Sequence, residues 1–161
     1  MIQYINRPNI EVCNRISEAL FGSQEKIDFT EKHVPEIERF DEPKVESVSK
    51  YLDQDPSILH LWAIVDDNSK KEIGYILIAN LPHFHSIGFS IDVDYSNRGI
   101  MSKSLALVLN EIDNMKLMRP INVHTMIENE PSNRLLQKLG FTFNGAISDD
   151  IIGQHNHYTW E

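Results

Sequence analysis

Cysteine is almost missing from this sequence: among 161 residues only Cys13 is one, so no disulfide can form within the chain. Long apolar stretches are missing too, and without a run of about 18 apolar residues the sequence predicts no transmembrane helix. The first residues lack the basic start and extended apolar run of a signal peptide. We therefore expect a cytoplasmic protein.

Positive charge is also in short supply. The 15 Lys and Arg residues face 24 Asp and Glu residues, which leaves a formal net charge of −9. Nucleic acids and anionic membranes need partners with a broad positive surface, so we expect neither as a partner. Any anionic ligand must be held by local contacts.

The length and a hydrophobic content of 41% suit one globular domain with one substantial core, and we expect a single domain over residues 1–161. Residues 24–57 are the hardest part to interpret because prolines and charges interrupt them. Within this part, an apolar face over residues 45–52 follows Asp41, a plausible helix cap, and Pro43. This pattern predicts a helical region.

Hydrophobic periodicity predicts the remaining elements. The predicted strands cover residues 2–5, 59–65, 73–81, 87–93, 121–127 and 141–147. The predicted helices cover residues 12–20, 101–115 and 131–140. The strands between residues 59 and 93 predict an antiparallel meander, whereas the later alternation of strands and helices requires crossover connections. The fold class is therefore α+β, or α/β with a mixed sheet.

A turn with one glycine, within "YSNRGIMSKS" at 95–104, connects a predicted strand to the clearest predicted helix. Backbone N–H groups at a helix start have no partners inside the helix and lie at the positive end of its dipole, where phosphate binds readily. Gly99 would let the backbone approach an anion closely. Ser102 could add a hydroxyl donor, and Arg98 or Lys103 could add charge.

An ordinary helix start is the competing interpretation of this turn. Ser96 or Asn97 would then cap the helix, and Gly99 would only relieve the turn. A single glycine is a weak motif, so the turn alone does not decide between the two.

A second stretch is more specific. "IENEPSNRLLQKLGF", residues 127–141, together with "IDVDYSNRGIMS" upstream, resembles the GNAT superfamily of N-acetyltransferases and, within it, the RimJ/RimL-like branch. The resemblance covers residues 73–147. It implies a mixed, mostly antiparallel sheet flanked by helices, with a splay between two central parallel strands. It also implies transfer of an acetyl group from acetyl-CoA to a primary amine.

The family's pyrophosphate-binding segment, Arg/Gln-x-x-Gly-x-Gly/Ala, falls on Ser96, Gly99 and Met101, and only the central glycine is preserved. By resemblance, backbone amides between Arg98 and Ser102 would hold the pyrophosphate. The residues implied in cofactor binding by this resemblance, or by their charge beside the motifs, are Arg98, Gly99, Ile100, Met101, Ser102, Lys103 and Arg134.

The family's second motif, Asn-x-x-Ser followed by Leu-x-Lys-Leu-Gly-Phe, falls on Asn129, Ser132 and "LQKLGF" without a mismatch. The resemblance implies that Asn129 contacts the pantetheine or the end of the cofactor and that Ser132 lies near the sulfur. A purely structural interpretation has Asn129 ending a strand and Ser132 in the first helical turn.

The resemblance further implies that acetyl-CoA lies in a V-shaped gap between the strands at 87–93 and 121–127. Backbone groups of Ile91 and Val93 would pair with the pantetheine as an added strand does. The amine would attack the thioester directly, without a covalent enzyme intermediate. Ser132 is the best candidate for the acid that protonates the departing thiolate.

Several side chains near the expected cleft are candidates for the general base, and none stands out. They are His83, His85, Asp92, His124 and Glu128. Histidine has the most suitable intrinsic pKa, and bulk water could also take the proton.

Two other features carry less chemistry. Cys13 lies beside the apolar face of the first predicted helix, which favours a buried core thiol. His155 and His157 are two residues apart and share a strand face, but two histidines are too few for a metal site. We expect no metal, and we expect this pair in a surface or substrate-side hairpin.

The acceptor is therefore expected to be an amine on a protein N-terminus, a lysine or a small molecule. A non-catalytic module that binds acyl-CoA is the main alternative, because Ser96 and Met101 depart from the family pattern. A phosphate- or nucleotide-binding domain unrelated to acetyl transfer ranks last. Residues 6–58 lack the Arg-Leu-x-Leu-Arg opening of RimJ/RimL-like proteins, so ribosomal substrates are not implied, and a homodimer is left open.

Overall fold

The computed structural model describes residues 1–33, 44–150 and 153–161, with only the backbone for Asp149. In these ranges seven strands form one sheet in the order β1-β2-β3-β4-β5-β7-β6. The strands are β1 Ile2–Tyr4, β2 Ile58–Val65, β3 Glu72–Leu81, β4 Phe84–Ile91, β5 Ile121–Met126, β6 Thr142–Asp149 and β7 Gly153–Trp160. This is the mixed, mostly antiparallel sheet that the resemblance implies, and it agrees with the α+β class expected from the sequence.

Helices cover both faces of the sheet. They are α1 Ile10–Phe21, α2 Gln24–His33, α3 Lys44–Gln54, α4 Ile100–Ile112 and α5 Glu130–Lys138. One apolar cluster joins α1 and α3 to the sheet through side chains such as Leu61 and Leu77, and the other joins α4 and α5 to it through Ile76 and Val123. We call these two sides the α1–α3 face and the α4–α5 face. None of the described helices has the length and apolarity needed to cross a membrane.

Several predicted boundaries differ from the structure, including the end of one strand and the end of one helix. The strand expected to reach Val93 ends at Ile91, and Val93 lies in a short 3-10 turn. This turn forms because the Asp92 carboxylate accepts the Asp94 N–H at 3.1 Å, a local bond that competes with strand pairing. The helix expected to reach Met115 ends at Ile112. The proposed cap residues Asp41 and Pro43 lie outside the described residues.

The described residues of the least readable part of the sequence form two helices. The predicted helix over 45–52 is confirmed within α3, where Val48 and Leu52 are buried. α2 has no clear apolar stripe, and side-chain contacts hold it instead. The Thr30 hydroxyl donates to the Leu20 carbonyl at 3.0 Å, and Lys26 forms an ion pair of 2.7 Å with buried Asp92. α2 is thereby tied to the end of β4.

The predicted splay lies at the centre of the sheet. β4 and β5 are parallel, and in the described chain they pair at one position, Ser86 with Asn122. Every other neighbouring pair in the sheet is antiparallel. Beyond Ser86 the two strands separate, so the β4 edge that faces β5 is left open to an added strand-like ligand.

Cys13 is the buried core thiol that the sequence predicts, with no exposed surface. Burial, and secondarily the charge of Asp53, raises the pKa of this thiol to about 11. Because the thiolate is the reactive form, we expect native protein at pH 8 to be alkylated by iodoacetamide more than tenfold more slowly than protein unfolded in guanidinium. Mass spectrometry of timed samples measures this ratio, and equal rates would contradict the burial.

Candidate active site

A cavity of about 650 Å³ opens at the splay between β4 and β5. On the α4–α5 face it is lined by the starts of α4 and α5, and on the α1–α3 face by side chains of α2, α3 and β3. Residues of β4 and β5 also line it. The cavity therefore connects a helix N-terminus on the α4–α5 face with a chamber on the α1–α3 face.

The N-terminus of α4 has the form that anion binding requires. The residue before the helix is Gly99, and none of the described side chains caps this end. The first helical bond runs from the Lys103 N–H to the Gly99 carbonyl at 3.1 Å, so the preceding N–H groups have no partner inside the helix. Gly99, Ile100, Met101 and Ser102 all line the cavity.

Neither residue of the competing cap interpretation caps α4. The Ser96 hydroxyl donates to the Val93 carbonyl at 2.8 Å, which closes the 3-10 turn. Asn97 has a positive φ of 58° and leads into the glycine. The interpretation of this turn as an ordinary capped helix start is therefore wrong.

Gly99 is required by its backbone conformation. Its φ is +74°, in the left-handed region that side chains disfavour. A Cβ built there meets no described atom within 4 Å, so the position faces open space at the mouth of the cavity. A ligand phosphate can approach this backbone where a side chain would otherwise project.

The charged residues expected at the cofactor lie at the rim. Arg98 is exposed, and its guanidinium lies 5.4 Å from the centre of the Tyr95 ring, which itself lines the cavity. Lys103 is exposed, and exposed Arg134 forms an ion pair of 3.6 Å with Glu130. None of these three cationic side chains is among the described residues that line the cavity, and neither is Val93. Ile91 does line the cavity.

Asn129 and Ser132 lie together at the cavity wall, and both line it. The side-chain oxygen of Asn129 accepts the Ser132 N–H at 3.3 Å, so Asn129 caps α5. The structural and the functional interpretations of this motif are therefore compatible. The cap uses the backbone of Ser132 and leaves its hydroxyl outside that bond.

Asn133, which sequence reasoning missed, fixes the start of α5 against the sheet. Its side-chain oxygen accepts bonds from Thr125 at 2.5 Å, Asn156 at 3.1 Å and Tyr158 at 2.9 Å. Its amide donates to the Met126 carbonyl at 3.1 Å. This network holds Ser132 in place at the splay.

Most of the proposed bases are engaged elsewhere or lie outside the cavity lining. Asp92 is ion-paired with Lys26. His85 accepts the Met118 N–H at Nδ1 at 3.0 Å. His83 and Glu128 are exposed, and neither is among the described lining residues. His124 is the one member of the predicted group that does line the cavity.

Three histidines lie side by side on the sheet. The His124 ring centroid is 4.9 Å from that of His155 and 5.0 Å from that of His157. The pKa of His157 lies below its usual value because burial, and then the charge of His155, disfavours its protonated form. In the ranges that the structure covers, no group of three or more potential ligands is arranged to hold a metal ion.

Of the two alternatives for His155, a surface or a substrate-side hairpin, the surface one is wrong. β7 lies between β5 and β6, so His155 is in the interior of the sheet, is only 2% exposed and lines the cavity. The pairing of β7 with both neighbours depends on contacts distant in sequence. Two histidines two residues apart did not indicate that their strand is paired on both edges.

The chamber on the α1–α3 face is aromatic. The aromatic side chains of its lining that no sequence motif marked are Phe29, His33, Tyr51, Tyr75 and Phe84. They come from α2, α3, β3 and β4. An amine that reaches the splay from this face would pass these rings.

Comparison with known proteins identifies the fold. The family model described as the acetyltransferase (GNAT) domain matches residues 19–142. The sequence matches none of the curated proteins with which it was compared.

Solved structures share the architecture over nearly the whole chain. An acetyltransferase of the GNAT family from Bacillus anthracis superposes with a TM-score of 0.75 at 17% identity, covering 99% of this chain and 93% of that one. The ribosomal-protein-S5-alanine acetyltransferase from Vibrio fischeri superposes with a TM-score of 0.70 at 17% identity, covering 99% of this chain and 91% of that one. The microcin C7 self-immunity acetyltransferase MccE, solved with acetyl-CoA and AMP, superposes with a TM-score of 0.67 at 17% identity. The superposition covers 99% of this chain and 91% of that one. A ribosomal-protein acetyltransferase is thus among the structural neighbours.

Proposed function

Because the chain belongs to the acetyltransferase (GNAT) family, whose acetyl donor is acetyl-CoA, we propose that the cavity at the splay is its acetyl-transfer site. The observation that carries the proposal is the continuity of one cavity from the uncapped start of α4, through the gap between β4 and β5, to Ser132 and the aromatic chamber. A long, anionic-ended thioester fits such a path, with phosphates at α4 and the acyl group in the gap.

The residues of the chain then have distinct tasks. Backbone N–H groups at Gly99–Ser102 bind the pyrophosphate, and the open edge of β4 near Ile91 pairs with the pantetheine. Backbone N–H groups in the gap polarise the thioester carbonyl. A neutral primary amine attacks that carbonyl from the α1–α3 face, and the Ser132 hydroxyl donates a proton to the departing sulfur. Val93 is not part of this assignment, because it lies in the 3-10 turn.

The acceptor is a primary amine on a protein N-terminus, a lysine or a small molecule. The name of the Vibrio fischeri neighbour gives a ribosomal protein as its acceptor, which supports keeping proteins in this class. The whole of residues 1–161 acts as one domain in this proposal, since β1 and β7 belong to the same sheet as the splay. The cytoplasm is the proposed compartment.

Incubation of the protein with acetyl-CoA and a panel of amines tests the proposal, with free thiol followed by a chromogenic disulfide. The panel contains an N-terminal peptide, a lysine peptide with a blocked N-terminus, a polyamine and an aromatic amine. We expect thiol release above the acceptor-free rate with at least one of them. Thermal stabilisation by CoA and acetyl-CoA without thiol release would favour the non-catalytic module. Met101 is the feature that supports this alternative, because it lines the cavity and is bulkier than the residue of the family pattern.

Rim charges are expected to contribute modestly to cofactor binding. The double change of Arg98 and Lys103 to Gln should weaken CoA several-fold at low salt, because exposed charge pairs contribute roughly 0.2–1 kcal/mol each. Added salt screens the parent protein, so the difference should shrink between about 20 mM and 500 mM NaCl. Calorimetric titration at both salt concentrations measures this. Equal affinity of both proteins at low salt would leave phosphate binding to the backbone alone.

A further inference from the structure

The chamber on the α1–α3 face has a specific chemical character, given by its rings. Phe29 and His33 of α2 both line it, and their ring centroids lie 4.3 Å apart. The His33 Nδ1 donates to the Phe29 carbonyl at 2.7 Å, which holds the two rings side by side. Tyr51 of α3 and Tyr75 of β3 line the same space. An aromatic guest gains from contacts with such rings beyond the burial of its own surface.

The described lining of the cavity has no carboxylate, and it has no Lys or Arg either. Its ionisable side chains are histidines and tyrosines, which supply no negative charge at neutral pH. Asp92, next to the end of β4, is absent from this lining and is ion-paired with Lys26 at 2.7 Å. A second cationic group on the acceptor would lose its hydration in the chamber without gaining an anion, which is unfavourable.

Gly88 leaves open space over the centre of the sheet. It pairs with Leu77 across β4 and β3, and Leu77 belongs to the apolar cluster of the α1–α3 face, so Gly88 also faces the chamber. Gly88 is not among the glycines with a positive φ. Among the described residues beyond its chain neighbours, a Cβ at Gly88 would meet only Leu77, at an ordinary contact distance of 3.4 Å. Neither conformation nor packing requires glycine there, and a glycine inside a strand often marks close approach of a ligand.

We propose that the acceptor is a small primary amine with an aromatic ring near its nitrogen and no second charge, and that Gly88 limits the size of the group that fits. The proposal deepens the proposed acetyl transfer and rests on it. The ring lies over Gly88 among Phe29, Tyr51 and Tyr75, with the amine directed to the splay. As the N–C bond forms and the C–S bond breaks, the amine proton passes to water. The sulfur takes its proton from the Ser132 hydroxyl, which water reprotonates.

A series of acceptors tests the substrate class through kcat/KM at saturating acetyl-CoA. Phenethylamine is compared with cyclohexylethylamine, whose ring is apolar but not aromatic, with butylamine, with putrescine and with a peptide that has an N-terminal Phe. We expect phenethylamine to exceed butylamine by about tenfold or more and putrescine by about a hundredfold, because only its ring gains from burial and from contact with other rings. Cyclohexylethylamine and the peptide should each fall at least threefold below phenethylamine. If any of these four acceptors matched or exceeded phenethylamine, the proposed class would be wrong.

Three variants test where the ring lies. The readout is the kcat/KM for phenethylamine divided by that for butylamine. Gly88→Val fills the space over the sheet and should lower this ratio by about tenfold, and Gly88→Ala should lower it less. Phe29→Leu keeps an apolar side chain but removes a ring, so the ratio should fall about threefold. Parental ratios in Gly88→Ala and Phe29→Leu would overturn the placement, whether or not Gly88→Val folds.

Phe143→Leu is the matched control for Phe29→Leu. Phe143 is also an aromatic residue, but it is 51% exposed in β6 and absent from the described lining of the cavity. Its ratio should stay within about 1.5-fold of the parent, and a fall as large as that of Phe29→Leu would show that the readout does not report on the chamber.

Hexanoyl-CoA with butylamine tests whether the acyl chain of the donor occupies the chamber instead. We expect slower transfer than from acetyl-CoA, and faster transfer would assign the chamber to the acyl chain and overturn the proposal. Absence of thiol release with every amine would instead overturn the proposed function, and this inference with it.

Discussion

Gly99→Val is expected to weaken CoA binding by about 100-fold while the protein stays folded. A lost hydrogen bond to a charged group costs about 1.5–3 kcal/mol of binding free energy, whereas the strain of a side chain in the left-handed region, roughly 1–2 kcal/mol, lowers the stability of the protein. Each 1.4 kcal/mol is about tenfold in affinity. The added side chain would also project into the open space beside the uncapped N-terminus of α4, where we place the pyrophosphate. Calorimetric titration with CoA gives the dissociation constant.

Gly145→Val is the matched control for this change. Gly145 also has a positive φ, +107°, and a Cβ there also meets no described atom within 4 Å. It lies in β6 and is not among the described residues of the cavity lining. Backbone strain alone should therefore lower the melting temperature of both variants, and only Gly99→Val should lose CoA. Parental CoA affinity in folded Gly99→Val would remove this turn from the site.

Ser132→Ala is expected to lower kcat by about 100-fold with little change in CoA affinity, as general acid catalysis typically contributes 10²–10⁴. The helix cap should survive, because Asn129 accepts the backbone N–H of residue 132, which alanine retains. An interaction made mainly in the transition state appears in kcat and not in binding. Steady-state rates over a range of acetyl-CoA concentrations separate the two.

Ser102→Ala provides the opposite pattern as a control. Ser102 lines the cavity at the start of α4, so its hydroxyl is expected to contribute to phosphate binding and to affect KM for acetyl-CoA more than kcat. If Ser132→Ala instead raised KM and left kcat unchanged, Ser132 would be a binding residue, and the sulfur would take its proton from water or another group.

Local patterns in the sequence predicted most of the elements and the two motifs. Six strand regions and the helices α1, α3, α4 and α5 followed from periodicity, since apolar residues at a spacing of two or of three to four mark the buried side of an element. Gly99 followed because few other residues tolerate a positive φ. Asn129 and Ser132 were proposed through the resemblance to a family motif, whose residues here span a strand end, a helix cap and a first helical turn. These features depend on neighbours along the chain.

The approach of distant segments decided the rest. The divergence of β4 and β5 after the Ser86–Asn122 pair, the placement of β7 between β5 and β6, and the aromatic chamber bring together residues far apart in sequence. For this reason the sequence did not decide whether His155 lies in a surface or a substrate-side hairpin, whereas pairing on both edges of β7 buries it at the cavity. Nothing in the sequence marked Asn133, because its role depends on hydrogen bonds with five residues. These bonds form only when α5 packs on the sheet. The sequence alone determines which chemical groups are present, but long-range packing determines how deeply each group is buried and in which direction it points.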